Sequence, residues 1–178
     1  TSSLSALTNN TGATINGNGS LTLSGTSNNA GTITQENITI NGSLSNTGTI
    51  TQKNLIISGT AASGISTYAL RSRSATAGSF TNSGTVTAEN IENNGDIDNT
   101  SGTLIGKLTN NGTISGGNIT AKDGTINTGS INGSTVEIEQ GFANEGDISG
   151  TINISNSGNL VNNGSISGDV TNGGVLTS

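Results

Sequence analysis

Most apolar residues in this chain stand singly or in i, i+2 pairs between runs of Thr, Ser, Asn and Gly, and the arrangement returns at a fixed interval. The recurring phrase is Asn-x-Gly, one small or polar residue, then Ile, Val or Leu. It reads Asn29-Ala30-Gly31-Thr32-Ile33 and Asn46-Thr47-Gly48-Thr49-Ile50, and later Asn110-Asn111-Gly112-Thr113-Ile114, Asn127-Thr128-Gly129-Ser130-Ile131 and Asn144-Glu145-Gly146-Asp147-Ile148. Its glycines step by 17 residues from Gly31 to Gly48 and from Gly95 through Gly112 and Gly129 to Gly146, then by 18 to Gly164. A short fixed period made of strand formers and turn formers predicts a stacked solenoid, with one coil per repeat.

Within the unit 29–45, short β segments are predicted around Thr32-Ile33-Thr34, Ile38-Thr39-Ile40 and Leu44. Strand alternation sends Ile33, Ile38 and Ile40 to one side and the threonines to the other. Glycine at the corner is expected to supply a positive φ, and Asn beside it to tolerate the turn and bond the backbone. Stacking places Asn29 beneath Asn46, and Asn110, Asn127 and Asn144 in a further column whose amides satisfy one another. Helices are not expected, because no apolar period of three to four appears. The reading is an all-β, single-stranded parallel β-helix of roughly ten coils, about 17 residues each, with right-handed winding. It forms one domain over 1–178, with an insertion or irregular coil near 59–80.

Composition sharpens this picture. Only 28% of the residues are apolar and 2% aromatic, which would leave an aperiodic chain too poor in burial to offset its ordering entropy. Periodicity reverses that expectation, since stacked aliphatics pool into one narrow core. The net charge is −6, and the five basic residues, Lys53, Arg71, Arg73, Lys107 and Lys122, make no stripe, so nucleic acid is not an expected partner. No run is apolar enough for a membrane-spanning helix, so no direct membrane insertion is expected. There is no cysteine, hence no disulfide or thiolate metal site. With no initiator Met and the phrase still running at Asn172-Gly173-Gly174-Val175, the chain reads as part of a longer rod.

Charge placement supports the register, with Glu36 and Lys53, and again Lys122 and Glu139, each 17 residues apart. The period breaks at two places. Gly48 to Gly84 spans 36 residues, and within it 59–80 lacks the phrase while holding the only tyrosine, Tyr68, with Arg71 and Arg73. Gly84 to Gly112 spans 28, which fits neither one coil nor two.

The stretch from Gly64-Ile65-Ser66 to Ser79-Phe80-Thr81-Asn82-Ser83-Gly84-Thr85-Val86, together with the Asn-x-Gly-x-Ile phrases, resembles passenger domains of bacterial autotransporters and related secreted adhesins. The resemblance implies a right-handed β-helix displayed outside a Gram-negative cell, serving as an adhesin stalk or carrying an effector segment. A host glycan or protein ligand, or self-association, is the kind of partner it implies. No translocating β-barrel pattern accompanies it here.

Candidate chemistry is sparse, and no cofactor is expected. Glu137 and Glu139 alternate with Val136 and Ile138, so both should face outward as a carboxylate pair of the kind polysaccharide hydrolysis uses; the plainer reading is a solvated strand face. Glu89, Glu92, Asp96 and Asp98 form an acidic stretch with oxygen ligands suited to Ca²⁺, but no calcium-loop motif accompanies them. Residues 102–108 approach a phosphate loop, yet the spacing is one short and Leu108 replaces the hydroxyl residue. The pairs Thr32/Thr34, Thr49/Thr51 and Thr85/Thr87 form a hydroxyl array like that of ice-binding solenoids, which Ser130/Asn132 and Asp147/Ser149 are expected to spoil. Tyr68, Arg71 and Arg73 are the binding candidates, as distinctive residues where the repeat fails.

Overall fold

The computed structural model describes residues 1–58 and 78–178. They form 22 strands, all paired in parallel into one continuous sheet that coils on itself, with no helix among the described residues. Each coil has three faces. In the coil that starts at Thr32, the strand Thr32–Ile40 supplies the first face and, past Gln35 and Glu36, the second; Ser43–Asn46 supplies the third. The two segments expected at Thr32-Ile33-Thr34 and Ile38-Thr39-Ile40 are therefore one strand of 9 residues. No glycine stands at Gln35-Glu36, so the chain bends there without leaving the ladder.

Inside, aliphatics stack on like partners one coil away. The first-face column runs Ile15, Ile33, Ile50, Val86, Leu104, Ile119, Val136, Ile152, Val170, which counts nine coils among the described residues, close to the roughly ten expected. The third-face column runs Leu44, Phe80, Ile97, Ile114, Ile131, Ile148, Ile166. Ile33, Ile50, Ile114 and Ile131 are fully buried. Burial of each is worth roughly 1.5–3 kcal/mol, so every coil draws its stability from the neighbour above and below.

The 36-residue step has a simple origin. The strand Thr49–Ile57 pairs directly with Thr85–Asn93, and Ser43–Asn46 pairs with Ser79–Asn82. Gly78 N donates to Ser58 O at 2.5 Å, so the described stack continues directly from Ser58 to Gly78. Residues 59–77 number 19, and 36 − 19 = 17, the ordinary period. The expected boundary of 59–80 is thus too long: Ser79 and Phe80 belong to the stack, and Phe80 is buried over Leu44. Joining Ser58 to Gly78 by deleting residues 59–77 is expected to leave the cooperative melt within a few degrees of the parent, as read by circular dichroism.

The 28-residue step has a different cause. Two corners of the coil carry the same phrase, and the phrase moves from one to the other. Gly31, Gly48 and Gly84 stack at the corner between the third and first faces, whereas Gly95, Gly112, Gly129, Gly146 and Gly164 stack between the second and third. The corners lie 11 residues apart from Gly84 to Gly95, and 11 + 17 = 28.

Two asparagine ladders mark the change. At the first corner Nδ2 of Asn9, Asn29, Asn46 and Asn82 donates to Oδ1 of the next, ending at Asn99, at 2.7–2.8 Å. Asn99 closes this ladder by donating to Asn118 O. The second ladder runs Asn93, Asn110, Asn127, Asn144, Asn162, also at 2.7–2.8 Å. The second-face column changes with it, from Leu23, Ile40 and Ile57 to these asparagines. At the bend between first and second faces the exchange is opposite, from Gln35 and Gln52 through Ala88, Gly106 and Ala121 to Ile138 and Ile154. Apolar volume is moved around the coil rather than lost.

The phrase glycines do not serve the role expected of them. None of Gly31, Gly48, Gly112, Gly129 or Gly146 is among the positive-φ glycines. What they provide is closeness: a Cβ on Gly129 would lie 2.1 Å from Gly112 O, the carbonyl of the coil below. Gly129→Ala is accordingly expected to pry the coils apart at that corner and cost about 1–3 kcal/mol, measured as a shift in the urea midpoint.

Candidate functional site

Outward side chains repeat coil by coil, so each face is a set of parallel files. On the first face one file runs Thr14, Thr32, Thr49, Thr85, Thr103, Asn118, Thr135, Thr151. Its companion, two residues along the strand, runs Asn16, Thr34, Thr51, Thr87, Ile105, Thr120, Glu137, Asn153. Ser130/Asn132 and Asp147/Ser149, expected to interrupt this array, lie instead on the third face above Thr113/Ser115. The first of these threonine files is therefore longer than the sequence indicates, although the paired array stops at Thr85/Thr87 because Ile105 follows in the companion file. Files repeat at about 4.8 Å between coils and about 6.6 Å along the strand.

Other candidates separate. Glu89 and Glu92 lie in Thr85–Asn93, while Asp96 and Asp98 flank buried Ile97 on the third face. Among the described residues no three His, Cys, Asp or Glu side chains gather closely enough to hold a metal ion. Glu92 Oε1 accepts a bond from Asn94 Nδ2 at 2.6 Å. The Asp98 carboxylate accepts from the Thr100 hydroxyl and, second, from the Thr100 backbone N–H, which together hold its pKa below the usual carboxylate value against a slight opposing effect of burial.

Glu137 stands on the first face over Thr120, whereas Glu139 lies just past the strand end and forms an ion pair with Lys122 of the coil below, as the 17-residue spacing predicts. Glu36 and Lys53 lie between the register pairs Gln35/Gln52 and Asn37/Asn54, but among the described residues the ion pair is Lys122–Glu139. Tyr68, Arg71 and Arg73 lie outside the described residues.

Two features carry no signal in the repeat phrase. On the second face Gly124 and Gly141 leave a depression of about 260 Å³ floored by Ile126, Ala143 and Val161. In the core, Gln52 is only 6% exposed, yet neither its Oε1 nor its Nε2 finds a hydrogen-bond partner. An unsatisfied buried amide costs about 1–3 kcal/mol. Because Ile138 and Ile154 occupy the same column farther along, Gln52→Leu is expected to raise stability by roughly 1 kcal/mol or more, read from the thermal midpoint.

Comparison of the chain with protein-family models, curated proteins and solved structures finds no match.

Proposed function

We propose that the chain is a non-enzymatic structural and adhesive solenoid, the stalk or passenger of a protein displayed on a bacterial cell surface. The observation that carries this reading is the in-register repetition of small polar side chains on the first and third faces, as in the third-face file Ser43, Ser79, Asp96, Thr113, Ser130, Asp147, Ser165. Such a surface offers one weak contact per coil. Many weak contacts in register suit a repetitive host glycan, or a protein carrying one, because linked contacts multiply into avidity. A stack held by neighbour contacts and lacking cysteine also needs no oxidative step to fold after export.

The test uses beads coated with the whole chain and, separately, with the chain lacking residues 59–77. Both are applied to cultured epithelial cells and to a glycan array. Binding by both assigns adhesion to the solenoid faces; binding lost with the deletion assigns it to the segment holding Tyr68, Arg71 and Arg73. Absence of binding by either bead contradicts the adhesive reading.

The threonine face favours a second reading, ordering of water in an ice-binding surface. Threonine side chains repeat there in two parallel files, most regularly over Thr32/Thr34, Thr49/Thr51 and Thr85/Thr87. Thermal hysteresis that disappears in Thr51→Lys would support it, and none in the parent chain would remove it.

A further inference from the structure

Among the described residues four large apolar side chains are exposed. Val170, Val175 and Leu176 all fall within 170–178, whereas Ile126 stands in the body of the stack, 41% exposed. In register with Ile126 on the second face are Thr109 on one side and Ala143 then Val161 on the other. The file two residues earlier along the chain reads Lys107, Gly124, Gly141, Asn159. Two successive coils thus lack a side chain where the coils flanking them carry a lysine and an asparagine, and the depression over Ile126, Ala143 and Val161 is the result.

Neither glycine can gain a side chain without changing this shape. Gly124 has a φ of 79° less one degree, +78°, in the region that favours glycine, and a Cβ on Gly141 would lie 2.7 Å from Asp123 Oδ1. The rim is held by the backbone: Gly124 N donates to Gly141 O at 3.0 Å, and Gly141 N donates to Asp123 Oδ1 at 3.1 Å. That bond orients the carboxylate through one oxygen and leaves Oδ2 without a hydrogen bond among the described residues. Lys107 reaches the same edge, since a Cβ on Gly124 would lie 3.2 Å from its Cε and 3.4 Å from its Nζ. Among the described residues Lys107 forms no ion pair. Asn159 is exposed at the opposite end.

A cation, a carboxylate and a carboxamide therefore surround an aliphatic floor, and the two charges offset each other. An ion of either sign would meet one like charge at this rim, whereas a neutral polyol would not, because each of its hydroxyls both donates and accepts. The volume of about 260 Å³ lies just under the ~300 Å³ at which sites for drug-sized ligands begin, so the space suits a single ring. We propose that this depression is a subsite for one neutral pyranose residue of a glycan. A C–H face of the ring rests on Ile126, Ala143 and Val161, and its hydroxyls bond Asp123, Lys107 and Asn159. An aliphatic floor gives a weak contact for a lone ring, and linkage to further residues that engage the polar files of the solenoid raises it to useful avidity. The subsite rests on the adhesive reading for its glycan, but it lies where the surface departs from the repeat rather than on the repeated files.

The experiment is a methyl-NMR titration of the whole folded chain, labelled at Ile, Val and Ala methyls, with the methyl glycosides of glucose, galactose, mannose and N-acetylglucosamine, and with cyclohexanol as a purely apolar ring. At least one glycoside is expected to shift the methyls of Ile126, Ala143 and Val161 saturably, with cyclohexanol leaving them in place. Asp123→Asn, which keeps an acceptor for the Gly141 N–H, is expected to weaken that binding about tenfold. Ala143→Gln, which fills the depression from an outward position, is expected to abolish it, and both variants should keep the parent melt. No shift with any glycoside, equal shifts with cyclohexanol, or glycoside shifts that neither variant changes would overturn the proposal. Bead binding separates it from the broader reading. Cells bound by beads whose chain shows no glycoside shift would leave adhesion standing and remove the subsite, whereas saturable shifts without bead binding would support the subsite and contradict adhesion.

Discussion

Ile131→Asp is expected to abolish the single cooperative melt of the solenoid. Ile131 is fully buried, with Ile114 in the coil below and Ile148 in the coil above. Truncating such a side chain costs about 2–5 kcal/mol, and a carboxylate left unpaired between two coils adds several more. Against a typical total of about 5–15 kcal/mol, little stability remains. Damage falls on the interface with both neighbours, because each coil is stabilised only by those next to it. Ile126→Asp is the control, since Ile126 is 41% exposed on the outer face; its effect should stay within about 0.5 kcal/mol. A circular dichroism melt of Ile131→Asp at the parent temperature would contradict the column assignment.

Asn110→Leu is expected to cost roughly 2–4 kcal/mol, although the replacement is similar in size and more apolar. Asn110 accepts from Asn93 Nδ2 and donates to Asn127 Oδ1, both at 2.7 Å, with its amide also reaching Gly112 O and Ser130 O. Leucine would strand one N–H of the Asn93 amide below, whose other donates to Thr113 O, and the Asn127 carbonyl above, in a position with no exposure to water. Asn111→Ala is the matched control one residue away, at an exposed corner position. Equal urea midpoints for the two variants would mean that the buried ladder contributes no more than an exposed amide does.

The period, the parallel stack and the inward isoleucines were legible in the sequence because each coil is a local copy of the last. Ile33, Ile50, Ile114, Ile131 and Ile148 all lie where alternation places them. The exchange of corners was not legible. Gly84 and Gly95 are embedded in the same phrase, and a phrase encodes a turn and the strand after it, not which of the coil's corners that turn occupies. Aligning Ser130/Asn132 with Thr32/Thr34 by phrase therefore joined residues on different faces, which concealed the length of the threonine file.

The reason for the corner glycines was hidden similarly. A glycine needed for a left-handed backbone and one needed because another carbonyl lies against it look alike in sequence, and Gly129 is the second kind. In sequence Gln52 is one more polar residue in the run Thr51-Gln52-Lys53-Asn54, and only the coils on either side reveal it as a core position. Of the site candidates, the Lys122–Glu139 pair was readable from spacing, while the acidic stretch could not be resolved into faces until the Asn94-Gly95 corner was placed between Glu92 and Asp96.

The continuity of the solenoid rests on direct stacking of the coils that flank residues 59–77. With no native cysteine, a paired substitution tests it without background. Thr51 and Thr87 are register partners, both exposed on the first face, and a separation of about 4.8 Å falls within the Cα range of about 4.4–6.8 Å that a disulfide accepts. The Thr51→Cys, Thr87→Cys variant is expected to crosslink within the monomer under mild oxidation and to keep its melt. Failure of that pair, together with efficient crosslinking of Thr51→Cys to Tyr68→Cys, one 17-residue step along the sequence, would contradict direct stacking.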